Sequence, residues 1–299
     1  MSEVSPGKIL LATDGSEDAV LAARVAAGVS VTTGREVHVV HVLEPIPRYA
    51  YPGVTPEIYS LVDTERKERA RELLARETDR LQDVGASVAE GRLREGPIVD
   101  EILDSGDEVR ADLIVMGSRG LGRVKNMLLG SVSEGVVHHC RRPVLVARGG
   151  RWAWPPEQVV VGDDDSETAR QAGELAAEIA RPFGAGGVLV RAYPEMPEIN
   201  VEGRSFDPRL VDDALRMGER DLREHADRLE RALGRRLRVQ IAVGDPAAAI
   251  LGEAEGEKVL VAVGSRGLGP VRRVRFGSVS TKVLRAAKGP VLVYPREAA

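Results

Sequence analysis

Apolar residues along the chain fall into short unbroken runs separated by longer amphipathic stretches. Lys8-Ile9-Leu10-Leu11-Ala12-Thr13 ends at Asp14-Gly15-Ser16, the signature of a buried strand entering a turn. Ser16 is placed to cap a helix running to about Val31, with Glu17 and Asp18 in its first turn. Val37 to Leu43 is a second strand, and an irregular stretch with Pro45, Pro47, Pro52 and Pro56 follows. Glu57 to Val84 predicts a long helix with Ile58, Leu61, Val62, Leu73, Leu74, Leu81 and Val84 near one face. The charge run from Glu65 to Arg71 on it is an ordinary solvated face. Next come a strand around Ser87 to Leu93, a helix from Ile98, a strand over 113–116, a helix from Ser131 and a last strand over 143–147.

The second half repeats this order, with strands at 158–161, 187–192, 236–243, 258–263 and 291–294. Strands alternating with helices imply right-handed crossovers and parallel sheets covered on both faces. The expected fold is α/β: two tandem doubly wound domains, each a five-stranded parallel sheet. The first covers residues 1–148 and the second 158–299, joined by a linker over 149–157 in which Trp152 and Trp154 pack the chain down. Ligands of such folds sit at the carboxyl ends of the strands where the strand order switches, here the loops after the first and fourth strands. An apolar edge strand needs a partner. Residues 143–147 and 290–294 are therefore expected to pair with each other across a pseudo-two-fold axis, as an intramolecular pseudo-dimer, or between chains of a homodimer.

The halves share more than their pattern. Gly117-Ser118-Arg119-Gly120-Leu121-Gly122 recurs letter for letter as Gly264-Ser265-Arg266-Gly267-Leu268-Gly269. Gly130-Ser131-Val132-Ser133 recurs as Gly277-Ser278-Val279-Ser280 at the same offset. Glycines at 117, 120 and 122 let backbone approach an anion closely. The segment 130–133 opens a helix whose first N–H groups have no acceptor within it. The Ser131 and Ser133 hydroxyls are expected to add donors. A helix dipole supplies about 0.3–1 kcal/mol, whereas micromolar binding needs about 8 kcal/mol. Such a site must therefore combine both glycine segments with burial of a base, which points to a nucleotide triphosphate.

Composition narrows the choice. The 299 residues are 43% hydrophobic and 29% charged, with a net charge of -4, so nothing general draws the chain to nucleic acid or an anionic membrane. Local clusters such as Arg272, Arg273 and Arg275 are exceptions in sign. The single cysteine, Cys140, and an N-terminus without a signal-peptide pattern suggest a reducing, cytoplasmic setting. No apolar run approaches the roughly 20 residues of a membrane span. His138-His139-Cys140 lies along one helix, where adjacent side chains diverge, so a joint metal chelate is not expected. His38 and His41 read as structural histidines. Cys140 as a redox sensor would require a lowered pKa.

The repeated Gly-x2-Gly-x9-Gly-Ser, the opening Ile-Leu-Leu-Ala-Thr-Asp-Gly-Ser (9–16) and the ending Arg-Pro-Val-Leu-Val (142–146) resemble the universal stress proteins in their tandem-domain form. The resemblance covers nearly the whole chain and implies ATP as ligand, with Mg2+ accompanying the phosphates. It implies that Asp14 holds the ribose hydroxyls or the Mg2+, beside Ala12 and Thr13, and that Val42 contacts adenine. Gly117, Gly120, Gly130, Ser131, Val132 and Ser133 would hold the phosphates. The matching second set is Gly162, Asp164, Ala192, Gly264, Gly267, Gly277, Ser278, Val279 and Ser280. Where the first half has Thr13-Asp14-Gly15, the second has Asp163-Asp164-Asp165, three carboxylates expected to repel a triphosphate unless a divalent cation intervenes. Two functions follow: an ATP-binding regulator of stress response with slow hydrolysis at most, or an ATP-dependent enzyme of a related α/β type acting on an unknown acceptor.

Overall fold

In the computed structural model the described residues are 7–46, 55–120, 129–148, 153–193, 208–265 and 277–296, with backbone alone over 208–217. The chain divides into two compact units, Met1–Trp154 and Pro155–Ala299.

The first unit alternates strand and helix throughout: β1 (Lys8–Ala12), α1 (Glu17–Thr33), β2 (Glu36–Leu43), α2 (Pro56–Asp83), β3 (Arg92–Glu95), α3 (Ile98–Val109), β4 (Leu113–Gly117), α4 (Ser131–His139) and β5 (Val144–Ala147). All its strand pairings are parallel, in the order β3-β2-β1-β4-β5. The order therefore switches between β1 and β4, where Ala12 lies opposite Met116 on one side and Val40 on the other. Strands buried on both faces must be apolar throughout. Ile9, Leu10, Leu11, Leu113, Ile114 and Leu145 are almost wholly removed from solvent.

The second unit has β6 (Gln158–Asp163), α5 (Glu167–Ala180), β7 (Gly186–Tyr193), α6 (Pro208–Leu233), β8 (Arg238–Val243), α7 (Pro246–Glu253), β9 (Val259–Gly264), α8 (Ser278–Ala286) and β10 (Val291–Tyr294). Its parallel order, β8-β7-β6-β9-β10, places the switch between β6 and β9.

Two expectations need correction. The apolar face assigned to α2 is not buried along its length: Ala70, Leu74 and Leu81 are buried, whereas Ile58, Leu61, Val62 and Val84 are exposed. For Ile58, Leu61 and Val62 the cause is length. Twenty-eight helical residues span about 42 Å, but the eight residues of β2 span about 26 Å, so the start of α2 runs beyond the sheet. The third strand also begins later than expected. Val88 makes an isolated bridge to Val37, and regular pairing resumes only at Arg92. Gly91 at the break packs against Thr78 and Leu74 of α2. Trp154 packs as expected, its indole Nε1 against Gly28 of α1, and Trp152 lies outside the described residues.

Candidate functional site

At the switch point of the first unit a cavity of about 840 Å3 opens. The ends of β1, β2 and β4 and the start of α4 all reach it. Ala12, Thr13, Asp14, Val42, Gly117, Gly120, Gly130, Ser131, Val132 and Ser133 all line it, so residues as far apart as 12 and 133 meet at one place.

The turn after β1 is built by local hydrogen bonds. Asp14 Oδ1 accepts the Ser16 N–H at 3.0 Å, the habit of an aspartate opening a turn, and Gly15 takes a left-handed φ of 75°. A side chain at Gly15 would also strike Leu73 of α2. Ser16 caps α1 by accepting the Ala19 N–H at 3.2 Å and donates its own hydroxyl to the Arg119 carbonyl at 3.1 Å. One serine thus ties the β1 turn to the loop after β4. Across the cavity, a methyl group at Gly120 would stand 2.4 Å from Asp14 Oδ2.

The glycines differ in what requires them. A Cβ at Gly117 would lie 2.8 Å from the Asp18 carbonyl carbon and 2.9 Å from Ala19 N, so glycine there lets β4 pass beneath the start of α1. Gly130 is the N-cap of α4 in extended backbone and gives no side-chain cap, which leaves the N–H groups of Ser131, Val132 and Ser133 without intrahelical acceptors. Ser131 is exposed at the cavity. The Ser133 hydroxyl was expected to serve the ligand. Instead it is buried and donates to the Ser118 carbonyl at 2.8 Å, with the Gly130 carbonyl 2.9 Å away. It fastens the loop, leaving its backbone N–H as its contribution to the rim.

Several lining residues escaped the sequence reading. Ile98 and Ile102 of α3, Met116 and Val40 form an apolar wall beside Val42. His41 also lines the cavity, and its Nδ1 is 2.7 Å from the Thr13 carbonyl; because a carbonyl only accepts, Nδ1 carries the proton. Asp18 is 4% exposed, and its Oδ2 accepts the Ser118 hydroxyl at 2.6 Å and lies 3.4 Å from Arg119 Nε. Arg148, buried just after β5, has its guanidinium pushed down by burial and by the charge of Arg119, with Asp18 acting the other way. Ser118 and Arg119 sit inside the duplicated hexapeptide, so the repeat carried their signal. Asp18 carried none, since its counterpart is Thr168.

The second unit keeps the frame and changes its charges. Gly277 caps α8 without a side chain, Ser278 and Val279 follow in the first turn, and the Ser280 hydroxyl lies 3.0 Å from the Gly277 carbonyl and 3.2 Å from that of Ser265. Gly264 again packs on a helix start, at Thr168 and Ala169. Gly267 lies outside the described residues, as do Arg272, Arg273 and Arg275. Gly162 leaves room for Ile250 Cδ1, which stands 2.5 Å from where a methyl would be. Ala192 pairs with Ala242 at the end of β7.

The three acids at the end of β6, Asp163, Asp164 and Asp165, do not act together. Asp163 is buried against Arg191 and His225, with Arg191 Nε 2.5 Å from Oδ2 and His225 Nδ1 2.8 Å from Oδ1. Burial alone would raise its carboxyl, but the His225 hydrogen bond and the Arg191 charge outweigh it and hold Asp163 below the ordinary carboxylate range. Asp164 Oδ1 accepts the Ser166 N–H at 3.1 Å, as Asp14 does from Ser16. Asp165 keeps the left-handed φ of Gly15, at 67°, and pairs with Arg170 at 2.6 Å. Two of the three charges are thus met by protein cations.

Elsewhere, His38 Nε2 is 2.8 Å from Glu36 Oε2 and His139 Nδ1 is 2.8 Å from the Gly135 carbonyl. Burial raises the Cys140 thiol, the opposite of what a redox sensor needs. Among the described residues no helix is long and apolar enough to cross a membrane.

A profile of the universal stress protein family matches residues 6–148 and again residues 156–295. The chain belongs to the universal stress protein family, in tandem form. A universal stress protein of Mycolicibacterium smegmatis is 26% identical over 300 residues, covering 95% of this chain and 96% of that one. One from Mycobacterium tuberculosis is 32% identical over 209 residues, covering 68% of this chain and 64% of the relative's length. The crystal structure of a universal stress protein from Archaeoglobus fulgidus superposes with a TM-score of 0.67 at 26% identity, covering 98% of this chain and 99% of that one.

Proposed function

We propose that the first unit binds an adenine nucleotide, ATP with Mg2+, and that the protein is a nucleotide-dependent regulator in stress response. The observation that carries this reading is the cavity of about 840 Å3, which runs from an apolar wall at Val42, Ile98, Ile102 and Met116 to the open helix start at Gly130 to Ser133. Its volume falls within the range of about 300–1,000 Å3 for small-molecule sites. The wall suits a base, and the unpaired N–H groups suit phosphate oxygens.

The donor set fits a phosphate-borne Mg2+. Asp14 is one carboxylate at the rim, and Mg2+ commonly uses one or two carboxylates together with substrate phosphates. Among the described residues no group of three or more acidic, histidine or cysteine side chains forms a separate metal cage. When bound, the metal would neutralise phosphate charge. Asp14 would orient it or the ribose, while Ser131 and the α4 N–H groups hold oxygens. The second unit, with Gly264, Gly277, Ser278, Val279 and Ser280 in the same frame, is proposed as a weaker site.

The test is to denature freshly purified protein, quantify released nucleotide per chain by chromatography, and titrate stripped protein with Mg2+-ATP. Loss of first-site occupancy in Asp14→Ala is expected. No released nucleotide together with no uptake of Mg2+-ATP refutes the proposal.

A further inference from the structure

Arg119 stands at the rim of the first-unit cavity and is fixed from behind. Its carbonyl accepts the Ser16 hydroxyl, and the N–H of neighbouring Ser118 donates to the Ala147 carbonyl at 2.7 Å. Beneath it lies Asp18, almost fully buried in the first turn of α1. Asp18 meets the guanidinium only through Nε, at 3.4 Å, while its own closer bond goes to Ser118. The two Nη groups of Arg119 have no hydrogen-bond partner among the described residues, and the side chain is 44% exposed. A planar fork held at one edge, with its other donors facing a cavity, is arranged for a ligand that accepts two parallel hydrogen bonds. The first N–H groups of α4 line the same cavity and suit the same kind of acceptor.

We propose that Arg119 is a polyphosphate-binding residue of this cavity and that Asp18 is its positioning residue, so that the first unit reads the number of phosphates on its nucleotide. This rests on the nucleotide reading of the cavity. In the second unit Thr168 replaces Asp18, and its hydroxyl lies 3.1 Å from that of Ser166. The position matching Asp18 thus holds no acid in the second unit, which makes the first unit the more selective for phosphate charge.

The experiment measures equilibrium binding of ATP, and separately of adenosine, to the full chain in Mg2+ for wild type, Arg119→Gln, Arg119→Lys and Asp18→Asn. Losing a charged fork to phosphate is expected to weaken ATP about tenfold or more in Arg119→Gln, with adenosine within about twofold. Arg119→Lys should fall between, keeping charge without the fork. Asp18→Asn should lower the ratio of ATP to adenosine affinity, a change that general loosening of the loop does not produce. A ratio unchanged in Arg119→Gln, or both ligands weakened alike, overturns the proposal. Wild type that binds neither ligand overturns the nucleotide reading and this assignment with it. Should Asp18→Asn fail to fold, the two Arg119 variants decide.

Discussion

Gly117 and Gly120 belong to one motif, yet the structure assigns them different work, and alanine at each separates the two. A Cβ at Gly117 meets backbone on α1 at 2.8 and 2.9 Å. Comfortable carbon contacts lie at about 3.5–4.0 Å, so the helix start must shift by something under an ångström. Forced overpacking of this kind costs about 1–3 kcal/mol. In a unit of about 150 residues each kcal/mol lowers Tm by about 2–4 °C, so Gly117→Ala should melt roughly 2–12 °C lower without ligand. At Gly120 the obstacle is Asp14 Oδ2, with only Asp14 Cγ also within 4 Å among the described residues. A carboxylate tip can turn away, so Gly120→Ala should melt within about 2 °C of wild type and instead weaken Mg2+-ATP by displacing Asp14. Differential scanning calorimetry of nucleotide-stripped protein, paired with titration of Mg2+-ATP, reads both effects. Equal destabilisation by the two substitutions, or an unchanged melt for Gly117→Ala, would refute the division of roles.

Other expectations follow from single contacts. Ser16→Ala removes both the α1 cap and the tie to Arg119, and should lower stability by about 0.5–2 kcal/mol in a denaturant titration. Leu74→Ala, at a buried site, should cost about 2–5 kcal/mol, whereas Leu61→Ala, 70% exposed beyond the sheet, should change stability by less than about 0.5 kcal/mol. Arg191→Met leaves Asp163 buried without its cation and should cost about 3–5 kcal/mol in urea at neutral pH. The pH dependence has a definite sign: Asp163 titrates lower folded than unfolded, so its contribution is complete above its ordinary range near pH 4 and fades as pH falls through the folded value. An acid titration followed by circular dichroism should show Asp163→Asn losing less stability than wild type below about pH 4.

The fold was legible because a parallel sheet buried on both faces writes itself as unbroken apolar runs, and Ile9 to Leu11 or Leu113 to Val115 have no other reading at that length. The site was legible through duplication: Gly117, Gly120, Gly130 and Ser131 stand where the repeat implied, on one cavity. What escaped were features set by distance in space. Ile58 and Leu61 continue the apolar stripe of α2, and nothing in that stripe tells where the underlying sheet ends. Ser133 looks like a ligand donor by type, and only the Ser118 carbonyl, fifteen residues back in the chain, shows that its hydroxyl is taken. Asp18 reads as an ordinary acidic residue in a first helical turn, because its partner lies one hundred residues away.

The halves differ in charge where their first two strands end. Position 13 directly follows the first strand of its unit and position 163 closes the first strand of the other, while 41 and 191 both stand near the end of the second. In the first unit these are Thr13 and His41, joined by a hydrogen bond from the imidazole to a backbone carbonyl. In the second they are Asp163 and Arg191, joined by a buried ion pair that draws His225 from α6 into the same knot. A joint with no carboxylate in it leaves the charge brought by a ligand unopposed at the strand ends. A buried ion pair has its electrostatics already met within the fold, and removing either partner is penalised heavily. The same glycine frame therefore serves two different electrostatic settings. On the nucleotide reading proposed above, the half that carries Asp14, Asp18 and Arg119 is the one whose properties a nucleotide would change.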